Sequence, residues 1–160
     1  MKVIGFGAAL VDKQFLIKDD ALNALGIEKG LMTLNSEEEQ NELLTFLQNQ
    51  NYDQISSCGG SATNSIYAAS ALGTSSGFIG KVAEDEDGAI YNADLKDNNI
   101  EISNCITSSN GKTGNCIVLI TPDAERTMNT HLGVSSETKF SEINFEQVSE
   151  TNLLLMEAYV

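Results

Sequence analysis

The chain has 160 residues, 41% of them apolar and 20% charged, with one proline; that is one domain's length with enough apolar residues for a core, and it excludes a disordered chain. Twenty-three acidic against nine basic residues give a net charge of -14, which opposes binding to nucleic acid and to anionic membrane surfaces. No stretch reaches the ~18 consecutive apolar residues of a membrane span, and Met1-Lys2 leads straight into Val3-Ile4-Gly5-Phe6 with no signal-peptide pattern, so the expected location is the cytoplasm.

From the N-terminus, residues 3–10 read as one buried, glycine-punctuated strand that Asp12 ends. Phe15-Leu16-Ile17 is a second short run, and residues 19–25 form a helix that stops at Gly26. Residues 31–34 make a short strand. Ser36 then opens a helix, with Glu39 completing an S-x-x-E capping box and Leu43, Leu44 and Leu47 on one face. Residues 55–60 form a strand that runs into Gly59-Gly60, followed by a helix over 61–72 that Gly73 stops. A strand at 78–82 and a helix near 89–97 come next, the helix ending at Asn98-Asn99. Residues 116–121 and 126–132, joined by Pro122-Asp123-Ala124-Glu125, predict a hairpin. Residues 142–149 are weakly helical, and 152–156 form a final buried strand. The order is mostly β-α-β with extra short strands, which predicts an α/β sheet with a smaller β appendage. No helix follows the last strand to cover it, so the chain is expected to be cut off inside a fold.

Several chemistries are disfavoured by the residues themselves. Three cysteines without a C-x-x-C pair argue against a disulfide framework and a structural zinc site, and the single His131 cannot anchor a multi-histidine metal centre. Gly5-Phe6-Gly7 lacks the third glycine of a dinucleotide fingerprint, because Leu10 stands in its place, and no P-loop is present. The strongest local feature is Gly59-Gly60-Ser61-Ala62-Thr63-Asn64-Ser65. Two glycines at a strand end let backbone N–H groups approach a ligand, the next helix directs N–H donors at the same point, and the Asn64 amide can serve a pair of hydroxyls. That chemistry suits a polyol. The same heptad is also consistent with a plain strand-to-helix turn capped by Ser61.

Gly59-Gly60-x-x-x-Asn64-Ser65 with Gly73, Gly80-Lys81 and Asp87-Gly88 resembles the first signature of the PfkB (ribokinase/adenosine kinase) family of sugar and nucleoside kinases. Residues 5–12 resemble that family's first strand and its sugar-binding aspartate. Residues 113–119 and 125–129 resemble its lid-side hairpin, and Leu153-Leu154-Leu155-Met156-Glu157 the strand ending in a substrate-facing acid. Residues 59–66 look closer to the adenosine kinase branch than to ribokinase. The resemblance implies a ribokinase-like three-layer α/β/α fold with a small β-sheet lid, incomplete here, residues 1–160 being the N-terminal half of one kinase domain with lid strands near 13–18, 31–34 and 113–132.

The resemblance also implies a substrate site of Asp12, Gly59, Gly60, Asn64 and Glu157. Asp12 would accept hydrogen bonds from a sugar diol that Gly60 N–H and Asn64 hold from the other side, and Glu157 would be a more distant contact or a solvated strand end. Arg126 is read as a structural ion pair rather than a phosphate ligand. ATP and Mg²⁺ are the implied cofactors. The family's D-T-x-G-A-G-D motif is absent from this sequence, so catalytic residues are expected beyond residue 160 and the chain alone is expected to be inactive. The implied function is the substrate-binding half of an ATP-dependent nucleoside or sugar kinase, adenosine kinase-like. The alternatives are a non-catalytic sugar- or nucleoside-binding module and a structural partner that forms a homodimer through the lid strands.

Overall fold

The computed structural model describes residues 1–157, which divide into two compact units. The first comprises residues 1–11, 58–114 and 132–157, and the second residues 12–57 and 115–131.

The first unit is built on a parallel sheet. Strands β1 (Lys2–Phe6), β5 (Ser75–Ala83), β6 (Ile100–Ser108) and β9 (Leu153–Met156) lie in the order β6-β5-β1-β9. Strand β5 is buried at every position but its first, the pattern of a strand covered on both faces. Helices α3 (Ser61–Ala71) and α4 (Glu86–Asp97) pack Ala62, Ile66, Tyr91 and Leu95 into one core with Val3, Phe78, Val82 and Ile100. Asp85 caps α4 by accepting from Gly88 N–H at 2.9 Å, and it also accepts from the Thr113 hydroxyl at 2.6 Å, so one carboxylate starts the helix and pins a distant loop to it.

The second unit holds most of a mixed sheet ordered β3-β8-β7-β2-β4, formed by β3 (Met32–Leu34), β8 (Arg126–His131), β7 (Gly114–Ile120), β2 (Leu10–Leu16) and β4 (Gln54–Gly59). Strands β7 and β8 are the expected antiparallel hairpin. Helices α1 (Asp19–Leu25) and α2 (Glu37–Asn49) cover the sheet, burying Leu22, Leu43 and Leu47 against Phe15, Ile17, Ile117 and Leu119. Helix α1 ends at Gly26, whose φ of 66° is left-handed, and the Ser36–Glu39 capping box opens α2 as predicted.

Four expectations need correction. The first strand is two strands: β1 stops at Phe6, the chain turns through Gly7-Ala8-Ala9, and Asp12 lies inside β2 rather than ending a strand. Strand β6 was not foreseen, because Ile100 and Ile102 begin an alternation that the register shift opposite Gly77–Ile79 interrupts. Residues 142–149 carry only α5 (Phe145–Ser149), preceded by a short 3-10 turn at Phe140–Glu142. The last strand pairs with β1, but Leu153, Leu154 and Met156 are exposed rather than buried.

Candidate functional site

In the first unit, β4 delivers Gly59 and Gly60 to the start of α3. Gly60 has φ 97°, and a Cβ there would lie 2.7 Å from the Ala8 carbonyl oxygen. Both the backbone conformation and the close approach therefore demand glycine. Gly60 itself occupies the cap of α3, its carbonyl accepting from Asn64 N–H at 3.0 Å. Ser61 is thus not the cap expected of a plain strand-to-helix turn. The Asn64 side chain, in the first turns of α3, is exposed and makes no hydrogen bond among the described residues, leaving its amide open to a ligand.

Glu157 is not a solvated strand end. One of its oxygens accepts from Ala8 N–H at 2.5 Å; the other accepts from the Ser61 hydroxyl at 2.5 Å and from Ala62 N–H at 2.9 Å. A carboxylate at the positive end of a helix is favourably placed, and here it ties the Gly7–Ala9 turn to α3. It also takes one of the N–H donors that the sequence had offered to a ligand. A Cβ on Gly7 would come 2.5 Å from the Glu157 carboxyl carbon, so the glycine makes room for this clasp. Behind it, the hydroxyls of Thr63 and Tyr91 meet at 2.6 Å in a fully buried pair. Neither the clasp nor this pair was visible in the sequence, because both join residues far apart in the chain.

In the second unit, Asp12 lies within β2 with its side chain 16% exposed, 4.0 Å from the Arg126 guanidinium of β8. Burial pushes the Asp12 carboxyl above the ordinary aspartate range, and Arg126 offsets this only in part. The expected ion pair of Arg126 is present, though loose, and Arg126 itself is half-exposed. His131 sits at the end of β8, its Nδ1 3.3 Å from the Asn35 carbonyl oxygen. Cys58 and Cys116 are buried, and burial pushes the Cys116 thiol up to about 11 and that of Cys105 to about 12, so these two thiols are protonated and inert at neutral pH.

Among the described residues, no group of three His, Cys, Asp or Glu side chains is placed to hold a metal ion. No described helix is long and apolar enough to cross a membrane.

The sequence pattern of the pfkB family of carbohydrate kinases matches residues 32–160. No curated protein matches the chain. Among solved structures, adenosine kinase from Sinorhizobium meliloti is 27% identical with a TM-score of 0.87, covering 99% of this chain and 47% of its own. A probable sugar kinase from Rhizobium etli CFN 42 is 26% identical with a TM-score of 0.86 and the same coverage. Adenosine kinase from Schistosoma mansoni in complex with adenosine, 17% identical with a TM-score of 0.83 over 99% of this chain and 47% of its own, shares the fold. The chain therefore spans about half the length of these structures. Its parallel sheet and mixed second sheet are those of the ribokinase-like α/β fold, and the chain belongs to the pfkB family of carbohydrate kinases.

Proposed function

We propose that this chain is the acceptor-binding half of an ATP-dependent kinase that phosphorylates a hydroxyl of a nucleoside or sugar, with adenosine as the first candidate acceptor. The observation that carries this reading is Asp12. A carboxylate held largely out of water, with only a loose cationic partner at 4.0 Å, gains more than a solvated one from hydroxyl donors. It would accept hydrogen bonds from two hydroxyls that do not react. In the first unit, the Asn64 amide, exposed and without a partner among the described residues, and the Gly60 N–H would offer hydrogen bonds to hydroxyls, with Gly59 giving the backbone close approach. Glu157 acts by positioning, since both of its oxygens are engaged by its own chain.

Family membership implies ATP and Mg²⁺, ATP supplying the phosphoryl group. The described residues do not fit a Mg²⁺ site, so no step is assigned to the metal here. The chemistry left to this chain is positioning, which phosphoryl transfer to an alcohol requires above covalent help. The likeness to an adenosine kinase and to a probable sugar kinase at nearly equal identity supports the broad acceptor class. A non-catalytic module that binds a sugar or nucleoside is the second reading, favoured by the roles carried over, which are binding or positioning roles and include no proton transfer.

Calorimetric titration of adenosine, ribose and fructose into the parent protein and its variants tests the proposal. Asp12→Ala is expected to weaken acceptor binding at least about tenfold, from lost hydrogen bonds to a charged group. Asn64→Ala is expected to weaken acceptor binding as well. Unchanged acceptor affinity in Asp12→Ala would overturn the site.

A further inference from the structure

The link between β6 and β7, residues 109–113, contains none of the residues of the proposed acceptor site. It holds Asn110-Gly111, the one place in the sequence where an asparagine precedes a glycine. Asparagine is thermally labile, because its side-chain carbonyl carbon lies within reach of the next residue's backbone nitrogen. A following glycine has no Cβ to hinder that approach.

The structure leaves this pair open to reaction. Both residues are exposed. The Asn110 side chain is held only by Nδ2 donating to the Ser109 hydroxyl at 3.4 Å, and the Gly111 N–H has no hydrogen-bond partner among the described residues. The Ser108 hydroxyl donates to the Asn110 backbone carbonyl at 2.8 Å. That bond draws electron density out of the peptide group and makes the conjugated Gly111 N–H more acidic. The fold also keeps the glycine: its φ is 84°, and a Cβ there would lie 2.5 Å from Val134.

The other pairs that could react in this way are held. Asn35 donates its amide to Gln40 at 3.1 Å, and the following Ser36 N–H is donated to Glu39 at 2.8 Å. Asn64-Ser65 lies inside α3, where the helical ladder engages the backbone nitrogen. At Asp87-Gly88, the Gly88 N–H is donated to Asp85 at 2.9 Å.

We infer that Asn110 is a site of spontaneous deamidation and isoaspartate formation in the folded protein. Hydroxide takes the Gly111 N–H proton, the nitrogen forms a bond to Asn110 Cγ, and the Cγ–Nδ2 bond breaks. Nδ2 leaves as ammonia, taking a proton from water. Water then opens the resulting succinimide: breaking the new N–Cγ bond gives aspartate, and breaking the original peptide C–N bond gives isoaspartate. Either product adds one negative charge to a chain of net charge -14. Isoaspartate also lengthens the backbone by a methylene, just before Thr113, whose N–H and hydroxyl donate to Asp85 at 2.9 and 2.6 Å.

The test is incubation of the intact protein at physiological temperature over a range of pH, followed by peptide mapping. An isoaspartyl methyltransferase with labelled S-adenosylmethionine marks the isoaspartate. The mass change of deamidation and the methyl label should both accumulate at Asn110. Their rate should rise with pH and exceed that at Asn35 or Asn64 at least about tenfold. Unfolding in guanidinium should speed the reaction at Asn35 and Asn64, whose nitrogens it releases. Asn110→Gln should keep the parent's melting temperature and cut the label at this position at least about tenfold. Asn110 left intact as the protein ages, or native label at Asn35, Asn64 or Asp87 matching that at Asn110, would overturn the inference.

Discussion

Asp12 is a carboxylate whose charged form the fold disfavours. Its folded pKa lies above the unfolded value of about 3.9, so the sign of its pH dependence follows from linkage. Below the unfolded value the group is protonated in both states and costs nothing; as pH rises through the folded value, stability is lost. Asp12→Asn removes that loss, and the Arg126 partner it abandons is half-exposed and needs little compensation. Thermal melts should therefore place Asp12→Asn above the parent at neutral pH, with the gap closing as pH falls toward about 4. A parent that melts at or above the variant at neutral pH would contradict the proposed strain. The same residue is then expected to be costly for the fold and needed for the acceptor, the usual balance at a functional position.

At the scale of elements, helix α2 depends on a cap that can be removed alone. Ser36 accepts from Glu39 N–H at 3.2 Å while the Glu39 carboxylate accepts from Ser36 N–H at 2.8 Å. Ser36→Ala should cost about 1 kcal/mol in urea unfolding. A loss indistinguishable from zero would mean that Leu43 and Leu47 alone hold the helix. Such local signals made α1, α2 and α3 legible in the sequence: each has its start or stop written within a few residues, as at Ser36 or Gly26. The strands were harder. Asp12 read as a terminator because polar residues usually end buried strands, whereas here Arg126 lies beside it in the same unit. Strand β6 was missed because its irregular pairing with β5 breaks the alternation of its apolar residues. In the candidate site, Gly60 and Asn64 could be picked out because their spacing is local. The engagement of Glu157 with Ala8 and Ala62 could not, since it spans 149 and 95 positions.

For the whole molecule, the excess of 23 acidic over nine basic residues is a self-repulsion that the fold must overcome. Among the described residues it is relieved in only a few places, such as Lys29 between Asp19 and Asp123 and the buried Lys81 beside Glu142. Raising NaCl from low concentration to about 0.15 M shortens the Debye length to ~8 Å, so the melting temperature should rise over that range. A fall would show that these few pairs outweigh the bulk repulsion. The sheet order β6-β5-β1-β9 bears on how the chain is made. Strand β1 is synthesised first, yet one of its neighbours begins at Ser75 and the other at Leu153, and Lys2 N–H finally donates to the side chain of Asn152, 150 positions away. At about 5–20 residues per second, the apolar N-terminal strand leaves the ribosome on the order of ten seconds before its last pairing partner exists. Through that interval Val3 and Ile4 present an unpaired strand edge, the part of the nascent chain most in need of a chaperone.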